Sequence, residues 1–215
     1  MKSIVILISG HGSNMEAIFA AQLPLKIRAV IANRPEAKGL ESAAQRGVPA
    51  IGLDHKAFSS RVTFDLELAR TIDQFAPDYI ILAGFMRILS SEFITRYPSR
   101  IINIHPSLLP SFPGLHTHEQ ALKAGVKIHG ATVHFVTPTL DHGPIIIQAG
   151  VPVFADDTQA SLAARVLISE HQIYPQALRW LAADRVQWTE NGVVQIRGLH
   201  VLQANEIPPL LVPKE

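Results

Sequence analysis

The residues with the clearest chemical use lie in the segment Asn103-Ile104-His105-Pro106-Ser107-Leu108-Leu109-Pro110. Asn103 and His105 follow the apolar pair Ile101-Ile102, and side chains two residues apart on a strand share a face. A carboxamide N–H can stabilise a developing oxyanion, and an imidazole can carry a proton near neutral pH. The pair is therefore a candidate for acid–base chemistry at a carbonyl. The alternative is a polar strand end in which both side chains only satisfy backbone groups.

A glycine-rich turn provides a second candidate site. The strand-like run Ile4 to Ile8 is followed by Ser9-Gly10-His11-Gly12-Ser13-Asn14 and a helical pattern from Met15 to Ala20, for which Ser13 or Asn14 is the expected N-cap. Free N–H groups and the positive end of a helix dipole at such a turn bind an anion, although an ordinary turn between strand and helix remains the alternative.

The nature of the anion follows from what the turn lacks. Met15 replaces the third glycine of the dinucleotide fingerprint, and Asn33-Arg34 stands where its acidic ribose-binding residue is expected. No Gly-Lys-Ser/Thr sequence follows the turn. A single phosphate group is therefore the expected ligand.

The elements that must position these residues alternate through the first hundred positions. Apolar runs predict strands at 27–31, 49–53 and 79–83, and helical patterns cover 38–46 and 61–75, the second capped by Ser59 or Ser60. In open parallel sheets, ligands bind beyond the carboxyl ends of the strands. The segments 9–14, 84–89 and 103–110 are therefore expected to meet at one edge.

The pattern changes after Pro113-Gly114. A helix is expected from His116 to Ala124, and the segments 129–136 and 145–149 are expected to pair as antiparallel strands, with Asp141 near the tip of their loop. A long helix to about Ala183, capped within 156–158, and a small hairpin of 186–188 with 193–196 follow. The expected fold is an α/β, Rossmann-like, mostly parallel sheet flanked by helices, with added antiparallel strands in the C-terminal half.

Composition narrows the classes of function. The 215 residues are 47% apolar and 17% charged, and 19 basic against 18 acidic side chains give no support for nucleic-acid or membrane binding by bulk charge. The absence of cysteine excludes disulfides, thiolate catalysis and thiolate metal sites. No signal-peptide pattern and no apolar run of roughly 20 residues is present, so a soluble, cytoplasmic protein is expected.

Read together, these motifs carry a family resemblance. Gly12-Ser13-Asn14, Met86-Arg87-Ile88-Leu89, the Asn103 to Pro110 segment, His129-Gly130 and Leu140-Asp141 occur in this order. From about Ile4 to about Leu181 the chain resembles the glycinamide ribonucleotide formyltransferases of the folate-dependent formyltransferase family. The Asn-x-His…Asp set is specific to folate formyltransferases and their relatives, and the Gly-Ser-Asn turn is similar to the ribonucleotide phosphate loop of this branch.

The resemblance implies an activity and a set of roles. The formyl group of 10-formyltetrahydrofolate, a co-substrate, would pass to the amine of glycinamide ribonucleotide in purine (IMP) biosynthesis, with no metal. Asn103, His105 and Asp141 would be the catalytic residues. If Asp141 is placed within hydrogen-bond reach of His105, it would favour the charged imidazolium.

The resemblance also assigns the substrates to residues. The ribonucleotide would contact Gly12, Ser13, Asn14 and Glu170. The folate would contact Arg61, Met86, Arg87, Ile88, Leu89, Asn103, Thr137, Leu140 and Asp141. Glu170 also fits a solvated helix face, and Arg61 a surface position in the first turn of a helix. Phe64 stands where some members have an aromatic hydroxyl, and His142 where a glycine often follows the aspartate.

On this interpretation residues 1–198 form one formyltransferase domain, with a phosphate-binding half (1–100) and a catalytic and folate half (101–198). Residues 199–215 are expected to be an irregular C-terminal tail. The expected partners are the two small-molecule substrates, in a monomer or homodimer.

Three other functions remain open. Formyltetrahydrofolate hydrolysis without an acceptor is the nearest, and the Gly-Ser-Asn turn argues against it. A metal-dependent hydrolase is the second, because histidine and aspartate side chains bind metal ions. The candidate ligands are His105, His116, His118, His129, His134 and Asp141. The third is a catalytically inactive folate- or nucleotide-binding module, against which the intact Asn103, His105 and Asp141 argue.

Overall fold

A mixed β-sheet organises the chain in the computed structural model, which describes residues 1–189 and 191–198. Within those residues its strands are β1 (Ser3–Ile8), β2 (Lys26–Ala32), β3 (Ala50–Gly52), β4 (Tyr79–Leu82), β5 (Ile101–His105), β6 (Ile128–Phe135) and β7 (Ile145–Pro152). They lie in the order β3-β2-β1-β4-β5-β6-β7. Strands β1 to β5 are parallel, and β6 runs antiparallel to β5 and β7. The predicted mixed α/β sheet is confirmed.

Helices cover both faces of this sheet. They are α1 (Ser13–Ala20), α2 (Lys38–Gln45), α3 (Arg61–Asp73), α4 (Ser91–Arg96), α5 (Thr117–Ala124) and α6 (Gln159–Ala182). Ile4, Ile6 and Ile8 of β1 point into a core shared with α1, α2, α5 and α6, whereas Val5 and Leu7 point into a second core under α3 and α4. Burial of each such aliphatic side chain contributes about 1.5–3 kcal/mol, which is why a continuous β-branched run forms the central strand.

Helix starts were predicted with mixed success. Ser60 caps α3, and its hydroxyl accepts the Thr63 N–H while the Thr63 hydroxyl accepts the Ser60 N–H, as in a capping box. The predicted cap of α1 by Ser13 or Asn14 is wrong. Gly12 is the N-cap, with φ of 74° and no capping side chain. A left-handed cap of this kind strains residues that carry a Cβ, so the glycine takes the position and Ser13 starts the helix.

Two further elements differ from expectation. The six-residue helix α4 was not predicted, and β7 continues to Pro152 instead of ending at Ala149. The terminal hairpin is confirmed as β8 (Val186–Trp188) and β9 (Val194–Ile196), and Trp188 stacks on Phe135 of β6 with ring centroids 5.2 Å apart. The predicted irregular tail, 199–215, lies outside the described residues. Within the described residues, no helix is both long and apolar enough to cross a membrane.

Candidate active site

Two of the three segments expected at one edge of the sheet, 84–89 and 103–110, share a cavity there, and Ser9 of the third segment bonds to Gly84 and Met86 beside it. Residues from 84–89, 103–106, 114–118 and 134–141 line a cavity of about 530 Å³ beyond the carboxyl ends of β4 and β5. This edge includes the point where the strand order reverses between β1 and β4, the usual ligand position in open α/β sheets. Asn103, His105 and Asp141 all line this cavity.

Asn103 is oriented by a residue that the sequence argument did not assign to the active site, His134. Asn103 and His134 are directly opposite in the β5–β6 register, and Asn103 Nδ2 lies 3.2 Å from His134 Nε2. His134 Nδ1 donates to the Phe135 carbonyl at 2.8 Å, so Nε2 of the neutral ring accepts from Asn103. Burial lowers the pKa of His134 and favours that neutral form. The second N–H of the Asn103 amide remains for a ligand oxygen.

His105 is held between a carbonyl and a carboxylate. Its Nε2 donates to the Phe112 carbonyl at 3.0 Å, and its Nδ1 lies 3.6 Å from Asp141 Oδ2. Both side chains are less than a tenth exposed. The 3.6 Å separation is within ion-pair range but too long for a direct hydrogen bond, so Asp141 can act on the imidazole only through its charge. Asp141 Oδ2 also accepts the Gly114 N–H at 2.8 Å, which ties the β6–β7 loop to the segment after Pro110.

Buried threonine hydroxyl groups hold the segment that follows His105. Thr132 of β6 donates to the Ser107 carbonyl at 2.6 Å and accepts the Leu109 N–H at 3.0 Å. Thr117, at the start of α5, donates to the Pro106 carbonyl at 2.7 Å. The segment that directly follows His105 is therefore attached to both β6 and α5, which limits the movement of the imidazole.

The sequence-predicted phosphate loop lies beside Glu170 of α6. Asn14 Nδ2 donates to Glu170 Oε2 at 2.6 Å, and both side chains are buried. The solvated-face interpretation of Glu170 is therefore wrong. Burial raises the pKa of Glu170, and the Asn14 hydrogen bond opposes that shift. Asn14 Oδ1 is also buried without a protein partner, so Gly12, Ser13, Asn14 and Glu170 gather polar groups that are only partly satisfied by the protein.

Tyr174 sets the position of Glu170. It lies one turn further along α6, on the same face, and is fully buried. Its hydroxyl is 2.9 Å from the Leu82 carbonyl and 3.1 Å from the Ile102 carbonyl. The helix that carries Glu170 is therefore tied to the last residue of β4 and to the second residue of β5.

The 84–90 loop forms the other wall of the cavity. The Arg87 guanidinium lies over the Phe64 ring, 4.7 Å from its centroid, and the buried Asp65 accepts the Ser90 N–H at 2.6 Å. Met86, Ile88, Leu115 and Leu140 present exposed apolar side chains around the cavity. Thr137 also lines it, whereas Arg61 is exposed at the start of α3 and does not. All the sequence-predicted folate residues other than Arg61 therefore share one cavity.

The histidines give no support to a metal site. In residues 1–189 and 191–198, no three His, Cys, Asp or Glu side chains are arranged so that they could hold a metal ion. The helix predicted from His116 begins one residue later, with His116 as the N-cap of α5, so the His-x-His pair is not presented by a strand.

The geometry defines a class: an α/β enzyme with an amide–imidazole–carboxylate site, an adjoining phosphate-type loop and an apolar-rimmed cavity. The family described as formyl transferase matches residues 2–178. The chain is 52% identical over 194 residues to phosphoribosylglycinamide formyltransferase of Escherichia coli. The alignment covers 88% of this chain and 92% of the E. coli enzyme. This chain belongs to the formyl transferase family.

Solved structures agree with this assignment. Glycinamide ribonucleotide transformylase 1 of Symbiobacterium toebii superposes with a TM-score of 0.87 at 46% identity, over 91% of this chain and 94% of that one. A formyltetrahydrofolate deformylase of Pseudomonas syringae has a TM-score of 0.82 at 29% identity, over 91% of this chain but 65% of that one. The fold is thus shared with a deformylase, and the higher identity lies with the transferases.

Proposed function

We propose that this protein transfers the formyl group of 10-formyltetrahydrofolate to the amine of glycinamide ribonucleotide, giving formylglycinamide ribonucleotide and tetrahydrofolate in purine biosynthesis. The observation that carries the proposal is the convergence of Asn103, His105 and Asp141 on a cavity bordered by the 84–90 loop. The 52% identity to the E. coli enzyme supports the same substrates.

The proposed chemistry follows from the donors. The amine attacks the formyl carbon, and the carbonyl oxygen becomes an oxyanion to which Asn103 donates its free N–H. Loss of one such donor typically raises the barrier by about 2.7–4 kcal/mol. The bond from carbon to the folate nitrogen then breaks. That nitrogen gains a proton and the amine loses one, so His105 is the proposed carrier and Asp141 the group that holds its ring charged.

The proposed binding sites divide along the sheet edge. The ribonucleotide subsite consists of Gly12, Ser13, Asn14 and Glu170. The folate subsite consists of Met86, Arg87, Ile88, Leu89, Asn103, Thr137, Leu140 and Asp141, with Arg61 at its outer end. The hydrogen bond from Asn14 to Glu170 crosses between residues 1–100 and 101–198, which supports one domain in which the two halves build the ribonucleotide subsite together.

The nearest competing function is hydrolysis of 10-formyltetrahydrofolate, because a deformylase shares the fold. Tetrahydrofolate release should be followed with and without glycinamide ribonucleotide. Release that requires the ribonucleotide is expected of a transferase. Equal release in its absence would make the protein a hydrolase.

A further inference from the structure

Beyond the residues that face the cavity, one buried hydroxyl joins the two proposed subsites. Ser9 is the first residue after β1, directly before the loop that carries Gly12, Ser13 and Asn14. It is 6% exposed, so its hydroxyl does not reach solvent freely. Its contacts lie on the neighbouring strand ends.

Ser9 holds the start of the 84–90 loop at two points. Its N–H donates to the Gly84 carbonyl at 3.1 Å, and its Oγ accepts the Met86 N–H at 2.7 Å. The chain turns at Gly84, where φ is 77°, before it reaches Met86. The hydroxyl therefore fixes the direction in which the loop leaves β4 and enters the wall of the cavity.

The same hydroxyl is fixed on its other side. Since the Met86 N–H can only donate, the Ser9 hydroxyl hydrogen is free to bond Asn33 Oδ1, which lies 2.6 Å away. Asn33 follows β2 and is 2% exposed. Its backbone carbonyl accepts a hydrogen bond from His55 Nδ1 at 2.6 Å. One chain of hydrogen bonds thus runs from the cavity wall through the end of β1 to the end of β2.

We infer that Ser9 is a positioning residue for the folate side of the reaction: its hydroxyl sets the place of the 84–90 loop relative to the phosphate-type loop. The inference rests on the proposed function for the identity of the ligand. Removal of the hydroxyl leaves the part-buried Met86 N–H and the buried Asn33 Oδ1 without this partner, and a shift of the loop toward water would satisfy the N–H at the lowest cost. Met86, 69% exposed in the cavity wall, would move with it.

The chain offers a matched control at the other end of β1. Ser3 is 5% exposed, and its Oγ donates to Asp78 Oδ2 at 2.9 Å in the turn before β4. Ser3 and Ser9 therefore each join β1 to a residue that flanks β4 by a part-buried hydroxyl bond, but only Ser9 adjoins the cavity. A purely structural role predicts the same result for both serines.

The test compares wild type, Ser9→Ala, Ser9→Thr and Ser3→Ala by steady-state kinetics, thermal unfolding and equilibrium titration with tetrahydrofolate. For Ser9→Ala we expect the KM for 10-formyltetrahydrofolate and the Kd for tetrahydrofolate to rise about tenfold, with kcat and the ribonucleotide KM within about threefold. Ser9→Thr restores the hydroxyl and should bring both folate constants back to within about threefold of wild type. Ser3→Ala should lower the unfolding temperature without changing the folate constants.

A folate Kd within twofold of wild type in Ser9→Ala would overturn the inference, as would an equal rise in Ser3→Ala or no rescue by threonine. If Ser9→Ala fails to fold, Ser9→Cys replaces it, with an expected rise of about threefold because a thiol is a weaker acceptor. Wild-type enzyme that binds tetrahydrofolate but transfers no formyl group would refute the proposed function and leave the Ser9 test intact.

Discussion

The two proposed subsites differ in what they present to a ligand. The ribonucleotide subsite contains buried polar groups, with Asn14 and Glu170 hydrogen-bonded at 2.6 Å and Asn14 Oδ1 without a protein partner. The folate subsite instead exposes apolar side chains, with Met86 69% and Leu140 49% exposed. A ligand gains hydrogen bonds on the first side and apolar burial on the second, and we propose that Asn103, His105 and Asp141 act where the two subsites meet.

This difference says which property each substitution should change. A polar change on the ribonucleotide side alters hydrogen bonding to one substrate, whereas an apolar change on the folate side alters the area that the other substrate buries. A change at the junction alters the rate of the chemical step and leaves binding of both substrates nearly unchanged.

The largest effect is expected at the junction. His105→Ala should lower kcat by about 10²–10⁴-fold, because a positioned proton carrier contributes that much, and should change both KM values by less than about threefold. Steady-state kinetics with each substrate varied measures this. His142→Ala, an exposed histidine next to Asp141, is the control and should stay near wild type. Near wild-type turnover in His105→Ala would remove His105 from the mechanism.

A smaller effect is expected on the ribonucleotide side. Glu170→Gln should raise the ribonucleotide KM by about tenfold, because a carboxylate accepts hydrogen bonds more strongly than an amide, and should leave the folate KM unchanged. Glu67→Gln, on the surface of α3, is the matched control. An equal rise of both KM values in Glu170→Gln would mean that the two subsites are not separate.

The same variant makes a prediction about stability. Burial raises the pKa of Glu170 above its ordinary 4.5. The protonated carboxyl therefore stabilises the fold below pH 4.5, and this contribution is lost as the pH rises through the pKa that Glu170 has in the folded protein. Near pH 8 the buried, ionised carboxylate therefore lowers the free energy of unfolding. Glu170→Gln should therefore unfold in urea at the same or a higher midpoint at pH 8, and a lower midpoint would contradict this assignment.

A still smaller effect is expected on the folate side. Leu140→Ser should raise the folate KM by about three- to tenfold through lost apolar burial, with no change in the unfolding temperature because the side chain is half exposed. Leu66→Ser on α3, 52% exposed and outside the cavity lining, is the control. A rise in the ribonucleotide KM instead would reverse the assignment of the two sides.

The smallest effect on turnover belongs to His129, which lies behind the cavity wall against the rings of Phe112 and His118. Burial lowers its pKa to about 4, from an ordinary value near 6.5. The stability linked to the neutral ring is therefore fully present above pH 6.5 and lost as the pH falls toward 4, by up to about 3 kcal/mol. Urea unfolding between pH 7.5 and 4.5 should show a shallower acid loss in His129→Leu than in wild type. Identical pH profiles would contradict the burial argument.

The sequence predicted the sheet well because its signals are local. The β-branched run of β1 and the Ser60 cap each act within a few residues. The errors arose where another constraint prevailed. The left-handed conformation at the start of α1 required Gly12 in place of a capping side chain, and α4, six residues long, gave too short a pattern to read.

The residue types of the proposed site could be predicted from the sequence, but the hydrogen bonds between them could not. Asn103, His105 and Asp141 were predicted from spacing and family resemblance, and the structure places all three around one cavity. The contact of His134 with Asn103 was not predicted, because it depends on the register of an antiparallel pair 31 residues apart. The bond from Asn14 to Glu170 joins residues 156 positions apart, and the bonds of Ser9 join three strand ends, so no local pattern contains them.

The most direct test of the central claim, that both substrates meet at Asn103, His105 and Asp141, is to trace the formyl carbon. Wild type and His105→Ala should be incubated with carbon-13-labelled 10-formyltetrahydrofolate and glycinamide ribonucleotide, and the products analysed by mass spectrometry. The expected result is label on the ribonucleotide amine in wild type, at a rate lower by orders of magnitude in His105→Ala. Label recovered as formate in wild type, with the ribonucleotide unlabelled, would contradict it.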